Sequence, residues 1–385
     1  MKGTPLERYI HGTEDAFQLM NNYGACRTPF LFLFDFELSN PLIIPLDEDF
    51  PAADIEYRMP DGILRADCLA REYGSDATKK RTLNEARTIA SDYGRFPQPY
   101  GHDSAISVAA QNGAGVRMQS QLSTALTLQS FPVGLDEYAA AFHYVQSQQR
   151  AGNSYLTNLT FPCPIELNAA LTEVYVRSHA LYRILVKNRM VVFSPESFVR
   201  IHNNRIFSYP MKGTIDATLP NAETLLLENE KELAEHVTIV DLIRNDLSRV
   251  SGNVCVDRFR FIDRIATHTG GILQMSSRIS GDLPADYRTR LGAIFRELLP
   301  AGSVSGAPKR KTLEIIRQAE QRMRGYYTGV FGVFDGHHLD SAVMIRYIEQ
   351  TEKGFVYHSG GGITIYSDLE SEYRELLQKI YVPVD

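Results

Sequence analysis

Residues 326–359 read YYTGVFGVFDGHHLDSAVMIRYIEQTEKGFVYHS, and this stretch decides the fold class. Three runs rich in Val, Ile, Phe and Tyr, 326–334, 339–349 and 354–359, are separated by Asp335-Gly336 and Lys353-Gly354. Aromatic and β-branched runs joined by Asp-Gly or Lys-Gly read as antiparallel hairpins, because glycine supplies the positive φ that a tight turn between twisted strands requires. Working outward, helix 308–323 precedes the hairpins, with Pro308 suited to its first turn. Helix 369–380 follows them, with Ser367 and Glu370 spaced as a capping box. Helical periodicity marks 135–150 (LDEYAAAFHYVQSQQR) and, most strongly, 222–250, where Leu233, Val237, Val240, Ile243 and Leu247 share one face before Ser251-Gly252. A shorter helix is expected at 170–178. Strands are expected at 29–46 (one or two), 155–161, 182–201 (two) and 205–209. Strand runs joined by hairpins, with helices interspersed, give an α+β chain with antiparallel sheets and not an alternating βαβ chain.

The 385 residues divide into three parts: N-terminal strands over 1–63, an atypical insertion or linker over 64–130, and a regular unit over 131–385. The middle part is rich in Ala, Ser, Gln, Arg and Gly, with one helix expected near 78–92. Forty Lys+Arg against forty-six Asp+Glu give a formal charge of -6, and no basic run marks a nucleic-acid surface. The four cysteines, Cys26, Cys68, Cys163 and Cys255, form no Cys-x-x-Cys pair, which argues for free thiols in a reducing compartment. The most apolar window, 30–46, is broken by Asp35, Glu37 and two prolines, so no membrane span or signal core is read and a cytoplasmic protein is expected.

Several constellations could carry chemistry. Glu232 and Glu235, and separately Glu372 and Glu375, sit three apart on helices and so share a face. Two such faces meeting would make an all-oxygen site suited to Mg²⁺, a hard cation that keeps waters and takes few carboxylates. The same spacing is also that of an ordinary solvated helix surface. Lys212, straight after a strand, could be a nucleophile in a dry pocket or a plain turn lysine. Glu196, at the end of strand 190–193, could be a partly buried general acid or a turn residue. The loop GSVSGAPK, 302–309, with Ser303 within it, could hold a carboxylate or phosphate through free backbone N–H groups at a helix start. Gly360, Gly361 and Gly362 allow close approach to the backbone. Arg346, within an apolar run, needs an anionic partner, either structural or a substrate.

Taken in order, SPESF, PMKGT, ELAEH–IVDLIRNDL, GSVSGAPK, GYYTGVFG, VMIR, GGGI and SDLESEYRE resemble the chorismate-utilising enzymes. That family includes anthranilate synthase component I, aminodeoxychorismate synthase component I, and isochorismate and salicylate synthases. The likeness spans 131–383, with weaker similarity at 28–60. It implies two antiparallel sheets packed as a sandwich, helices outside, and a cleft between the sheets. It implies Mg²⁺ on Glu235 and Glu375, with Glu232 and Glu372 nearby. By the same resemblance, Tyr327 and Arg346 hold the enolpyruvyl carboxylate of chorismate, Gly360 to Gly362 help through the backbone, and Gly213 and Thr214 contact substrate. Glu196 matches the acid that protonates the departing hydroxyl.

Lysine at 212 resembles aminodeoxychorismate synthase, where relatives of other specificity usually carry alanine. In that chemistry the amine attacks ring C2 as the C4 hydroxyl leaves, and ammonia then enters at C4 and expels the lysine. Leu156 stands where water-adding relatives place a basic lysine, which disfavours isochorismate chemistry, and where nitrogen-adding relatives commonly have glutamine. Gln274-Met275-Ser276-Ser277 replaces a widespread His-Leu-Val-Ser. No cysteine lies in a glutaminase-like context, so a separate glutamine amidotransferase subunit, or free ammonia, is the implied nitrogen source. Anthranilate synthase component I and an inactive scaffold subunit are the alternatives.

Overall fold

The computed structural model describes residues 5–47, 49–60, 125–265 and 271–383. The helix expected near 78–92 and most of the 64–130 segment lie outside the described residues. The described chain builds two antiparallel sheets. The first contains β1 (Phe30–Phe34), β2 (Leu42–Pro45), β8 (Ser197–His202), β9 (Arg205–Ser208), β10 (Met211–Asp216), β11 (Gly252–Ile265), β12 (Ile272–Asp282), β14 (Val330–Phe334) and β15 (Leu339–Val343). Their order is β10-β12-β9-β8-β15-β14-β1-β2, with β11 also on β12. The second contains β3 (Ile55–Arg58), β4 (Leu128–Ser130), β5 (Leu156–Leu167), β6 (Tyr182–Val186), β7 (Met190–Ser194), β13 (Gly306–Ala307), β16 (Tyr347–Thr351) and β17 (Gly354–Ile363). Their order is β13-β5-β17-β16-β7-β6-β3, with β4 also on β5.

Strand β1 explains why its sequence, FLFLF, does not alternate with polar residues: both faces are covered. Leu31 and Leu33 join Phe331 and Val333 of the first sheet and Ile184, Val192 and Tyr347 of the second in the core between the sheets. Phe30, Phe32 and Phe34 point the other way, onto α1 (Thr13–Cys26) and α6 (Leu291–Leu298). Phe17 stacks on Phe34, and Phe295 meets Phe32 edge-on. Each such ring contributes roughly 1.5–3 kcal/mol by burial. On the far side, α3 (Leu171–Arg177) covers the second sheet. Helices α2 (Leu135–Arg150), α7 (Lys309–Glu320) and α8 (Leu369–Gln378) pack against the β5–β17 pair. No described helix is long and apolar enough to cross a membrane.

The structure corrects four expectations. The run 222–250 is two helices, α4 (Ala222–Glu228) and α5 (Glu230–Ser248), because Asn229 leaves helical geometry and its side chain caps α5 by accepting from the Glu232 N–H. The capping box at Ser367 does not form: Asp368 is the N-cap of α8, accepting from Ser371, and Ser367 donates to Glu372. The region 182–201 holds three strands in place of two.

The fourth correction governs the site. The run 339–349 is not one strand. Its first half, β15, belongs to the first sheet and its second half, β16, to the second. The chain crosses between them at Met344-Ile345-Arg346, where Arg346 adopts φ 54°, and so Arg346 lies at a corner and not inside a strand. A second crossing, Pro195-Glu196, joins β7 of one sheet to β8 of the other. The two crossings are tied together: the Val343 N–H donates to the Glu196 carbonyl at 3.1 Å and the Phe193 N–H to the Arg346 carbonyl at 3.1 Å.

Candidate active site

Glu196 lies at one crossing between the sheets and Arg346 at the other, where the Arg346 guanidinium lies over the Tyr381 ring, 5.1 Å from its centroid. Ser303, from the short turn Gly302–Val304, donates its hydroxyl to Glu196 Oε1 at 2.5 Å. The small-residue loop therefore holds a carboxylate of the protein itself, through a side chain. Burial raises the Glu196 pKa above the usual glutamate range, against opposing pulls from the Ser303 bond and from Lys212, Arg346 and Lys379. A carboxyl biased towards its protonated form is suited to giving up a proton to a leaving group.

Lys212 is placed by an irregularity in β10. Met211 pairs with Ser276 and Thr214 with Gln274, so one extra residue is accommodated between them. Such a bulge re-aims side chains. Gly213 takes φ +82°, and a Cβ there would come 2.9 Å from Glu232 Oε2, so this position needs glycine. The bulge leaves Lys212 Nζ 3.3 Å from Glu235 Oε2, with the two side chains 27% and 15% exposed. Burial lowers the Lys212 pKa, but Glu235, Glu375 and Glu232 outweigh it, and the net shift is upward. The ammonium is thus held charged by its acidic neighbours. Burial alone does not free the amine, contrary to the simplest reading of a lysine in a dry pocket.

The opposite wall is α8 and the glycine edge of β17. Glu372 is buried and accepts from Ser367 Oγ at 2.7 Å. Glu375 pairs with Lys379 at 2.7 Å, and Lys379 Nζ also donates to the Gly360 carbonyl at 3.0 Å. A Cβ at Gly361 would sit 3.6 Å from Glu372 Oε2, 3.8 Å from Lys379 Nζ and 3.9 Å from Glu375 Oε1. One at Gly362 would sit 3.4 Å from Lys212 Nζ and 3.1 Å from Leu156 Cδ1. Tyr327 is buried, with its ring centroid 5.1 Å from that of His358 and 5.9 Å from that of Tyr347. Burial pushes its hydroxyl up to about 12, so it is a hydrogen-bond donor at neutral pH. Around Arg346, burial acts to lower the pKa, and Tyr357, Tyr381 and Tyr327 raise it. Thr214 pairs with Gln274, whose amide oxygen is buried with no hydrogen-bond partner among the described residues.

Contacts and electrostatic couplings thus bring together Lys212, Glu196, Ser303, Gly213, Tyr327, Arg346, Gly360 to Gly362 and the four glutamates, whereas Thr214 is exposed and is tied to them only through β10. Sequence reading missed Lys379. Its signal was the i, i+4 spacing after Glu375, which puts both on one helix face. Among the described residues no three acidic, imidazole or thiol side chains form a ready-made metal cage. The donor set still fits Mg²⁺, which takes one or two carboxylates and completes its octahedron with water and substrate oxygens. Ammonium groups lie against Glu235 and Glu375, so both carboxylates already attract positive charge.

A family model described as chorismate binding enzyme matches residues 6–385. This chain belongs to that family. It is 45% identical over 365 residues, 95% of either chain, to an "uncharacterized PabA-like protein" of Haemophilus influenzae. It is 31% identical to aminodeoxychorismate synthase component 1 of Bacillus subtilis, over 65% of this chain and 55% of that one. With anthranilate synthase component 1 of Aeropyrum pernix the identity is 36%, over 60% and 55%. The menaquinone-specific isochorismate synthase of Escherichia coli shares the fold, with a TM-score of 0.64 at 15% identity over 96% of this chain and 82% of that one. The chorismate-binding fold is therefore the α+β sandwich expected from the motifs.

Proposed function

We propose that this member of the family is the synthase subunit that aminates chorismate to 4-amino-4-deoxychorismate, on the route to p-aminobenzoate and folate. The observation that carries the reading is Lys212: its amine lies inside the cleft, under the Gly362 edge and beside Glu235. A lysine amine at this place supports a reaction that passes through a covalent adduct, once its proton is lost.

In this reading Tyr327 and Arg346 hold the enolpyruvyl carboxylate, with the backbone at Gly360 to Gly362 and contacts at Gly213, Thr214 and Ser303. Once its ammonium has lost a proton to solvent, Lys212 forms a C–N bond at ring C2 as both ring double bonds shift, C1=C2 to C1=C6 and C5=C6 to C4=C5, and the C4 hydroxyl departs as water, taking its proton from Glu196. Ammonia then bonds to C4 and loses a proton to solvent, both double bonds shift back, and the C2–N bond to Lys212 breaks with its electron pair returning to the lysine nitrogen. Glu235 and Glu375, with Glu232 and Glu372 beside them, would hold Mg²⁺, which would set positive charge against the ring carboxylate and offset the carboxylates that keep Lys212 protonated. The ammonia would come from a glutamine amidotransferase partner in the cytoplasm.

Amination of chorismate at C2 to anthranilate is the second reading, favoured by the 36% identity to an anthranilate synthase. The test is incubation with chorismate, Mg²⁺ and ammonium. The amination reading expects p-aminobenzoate after a lyase is added. Anthranilate with pyruvate, appearing without a lyase, supports the second reading, and no consumption of chorismate indicates a scaffold subunit.

A further inference from the structure

Arg324 is 2% exposed and touches neither the cleft nor solvent, yet its five N–H groups reach the segments that build the site. Its guanidinium grips Glu320 at 2.6 and 3.0 Å, donates to the Val304 carbonyl at 2.8 Å, to the Asn158 carbonyl at 2.7 Å and to Thr328 Oγ1 at 3.3 Å. Glu320, with no exposed side-chain surface, also accepts from the N–H and hydroxyl of Thr160 at 2.9 and 3.0 Å. The Arg324 and Gly325 N–H groups are held by Glu37 at 2.8 and 3.0 Å.

Apart from Glu320 and Glu37, each partner of this network adjoins a site residue. Val304 follows Ser303, which bonds Glu196. Asn158 pairs with Gly362, and Thr160 with Gly360. Thr328 follows Tyr327. Stability alone does not ask for such an arrangement, because a buried ion pair can be replaced by apolar side chains at little or no cost.

We propose that Arg324 is a positioning residue: its planar fork, aligned by Glu320, locks the Ser303 turn, the Gly360–Gly362 edge and Tyr327 into one rigid frame. Lysine, a point charge with three rotatable donors, cannot serve four separated acceptors in one plane. The proposal rests on the chorismate reading for its catalytic consequence, and its geometric core is independent of it.

The experiment uses full-length protein labelled with ¹³C in the glutamate carboxyls, the Glu196 signal being assigned by its loss in Glu196→Gln. Glu196 faces Ser303, Lys212, Arg346 and Lys379, and the Ser303 bond favours its ionised form. Ser303→Ala and Arg324→Lys are both expected to move the Glu196 midpoint upward, by about half a pH unit to one unit for one lost hydrogen bond. Chorismate turnover by Arg324→Lys is expected to fall about 100-fold in kcat/KM, the effect of roughly 1 Å of misplacement, with KM rising through Tyr327 and kcat falling through Glu196. Glu320→Gln, which removes the charge that aligns the fork, is expected to act in the same direction and covers the case in which Arg324→Lys does not fold. A Glu196 midpoint unmoved in Arg324→Lys and Glu320→Gln, while Ser303→Ala shifts it, overturns the proposal. If the wild-type protein consumes no chorismate, the functional reading fails, and the substrate-free titration still decides the positioning role.

Discussion

Replacing Lys212 by methionine keeps the unbranched stem, one atom shorter, and removes the charge, and its effect follows from the neighbours. At 3.3 Å from Glu235 the gross attraction is about 5 kcal/mol at an effective dielectric of 20. Desolvation of both partners offsets most of this. With 27% and 15% of the side chains exposed, the pair falls between a surface bridge and a buried one. The expected loss at pH 7 is about 1–3 kcal/mol. Glu375 and Glu232, which also bear on the ammonium, are then left to repel one another. Because the Lys212 pKa is raised, its contribution is complete below the ordinary lysine value of 10.5 and is lost only as pH climbs through the higher folded value. Thermal unfolding at pH 7 should drop by a few degrees in Lys212→Met. Added Mg²⁺ should raise the melting temperature more in the variant than in the wild type, since no ammonium competes for Glu235. Amination of chorismate should disappear. A variant as stable as wild type, with the same response to Mg²⁺, would refute the picture of an ammonium clasped by carboxylates, and undiminished product would refute the nucleophile.

Two further variants probe the same cleft. Glu196→Gln should lower turnover about 10²–10⁴-fold, the usual worth of a general acid. Burial raises the Glu196 pKa from 4.5, so its ionisation costs stability as pH rises from that value through the folded one; melts from pH 4 to 8 should show the variant lacking this decline. Gly213→Ala should cost about 1–3 kcal/mol, because alanine at φ +82° is strained and its methyl meets Glu232. An unchanged melting temperature there would mean that β10 carries no bulge in solution.

Much of the architecture was legible in the chain. The Asp335-Gly336 turn is a local feature, and β14 and β15 pair across it in the expected antiparallel register. Helix 135–150 was readable because its apolar residues recur at one face, and it spans those residues. The paired glutamates announced shared helix faces. What the residue pattern misjudged were breaks without punctuation. Asn229 interrupts a continuous helical periodicity by competing for the backbone with its side chain, and Met344-Ile345-Arg346 turns a corner with no glycine or proline to mark it. The long antiparallel β11–β12 pair escaped because its strands mix polar and apolar residues.

Sequence by itself determined most of the helices and the β14–β15 hairpin, which faces of α5 and α8 carry carboxylates, and which family the motifs resemble, since all of these depend on short-range spacing. Tertiary structure alone decided that two sheet crossings bring Glu196 beside Arg346, that a bulge turns Lys212 onto Glu235, and that Lys379 closes the far wall. Those outcomes depend on strand register and on electrostatic balance among side chains from different elements, some as far apart in the chain as Glu196 and Arg346, and neither quantity is written in any local window of the chain.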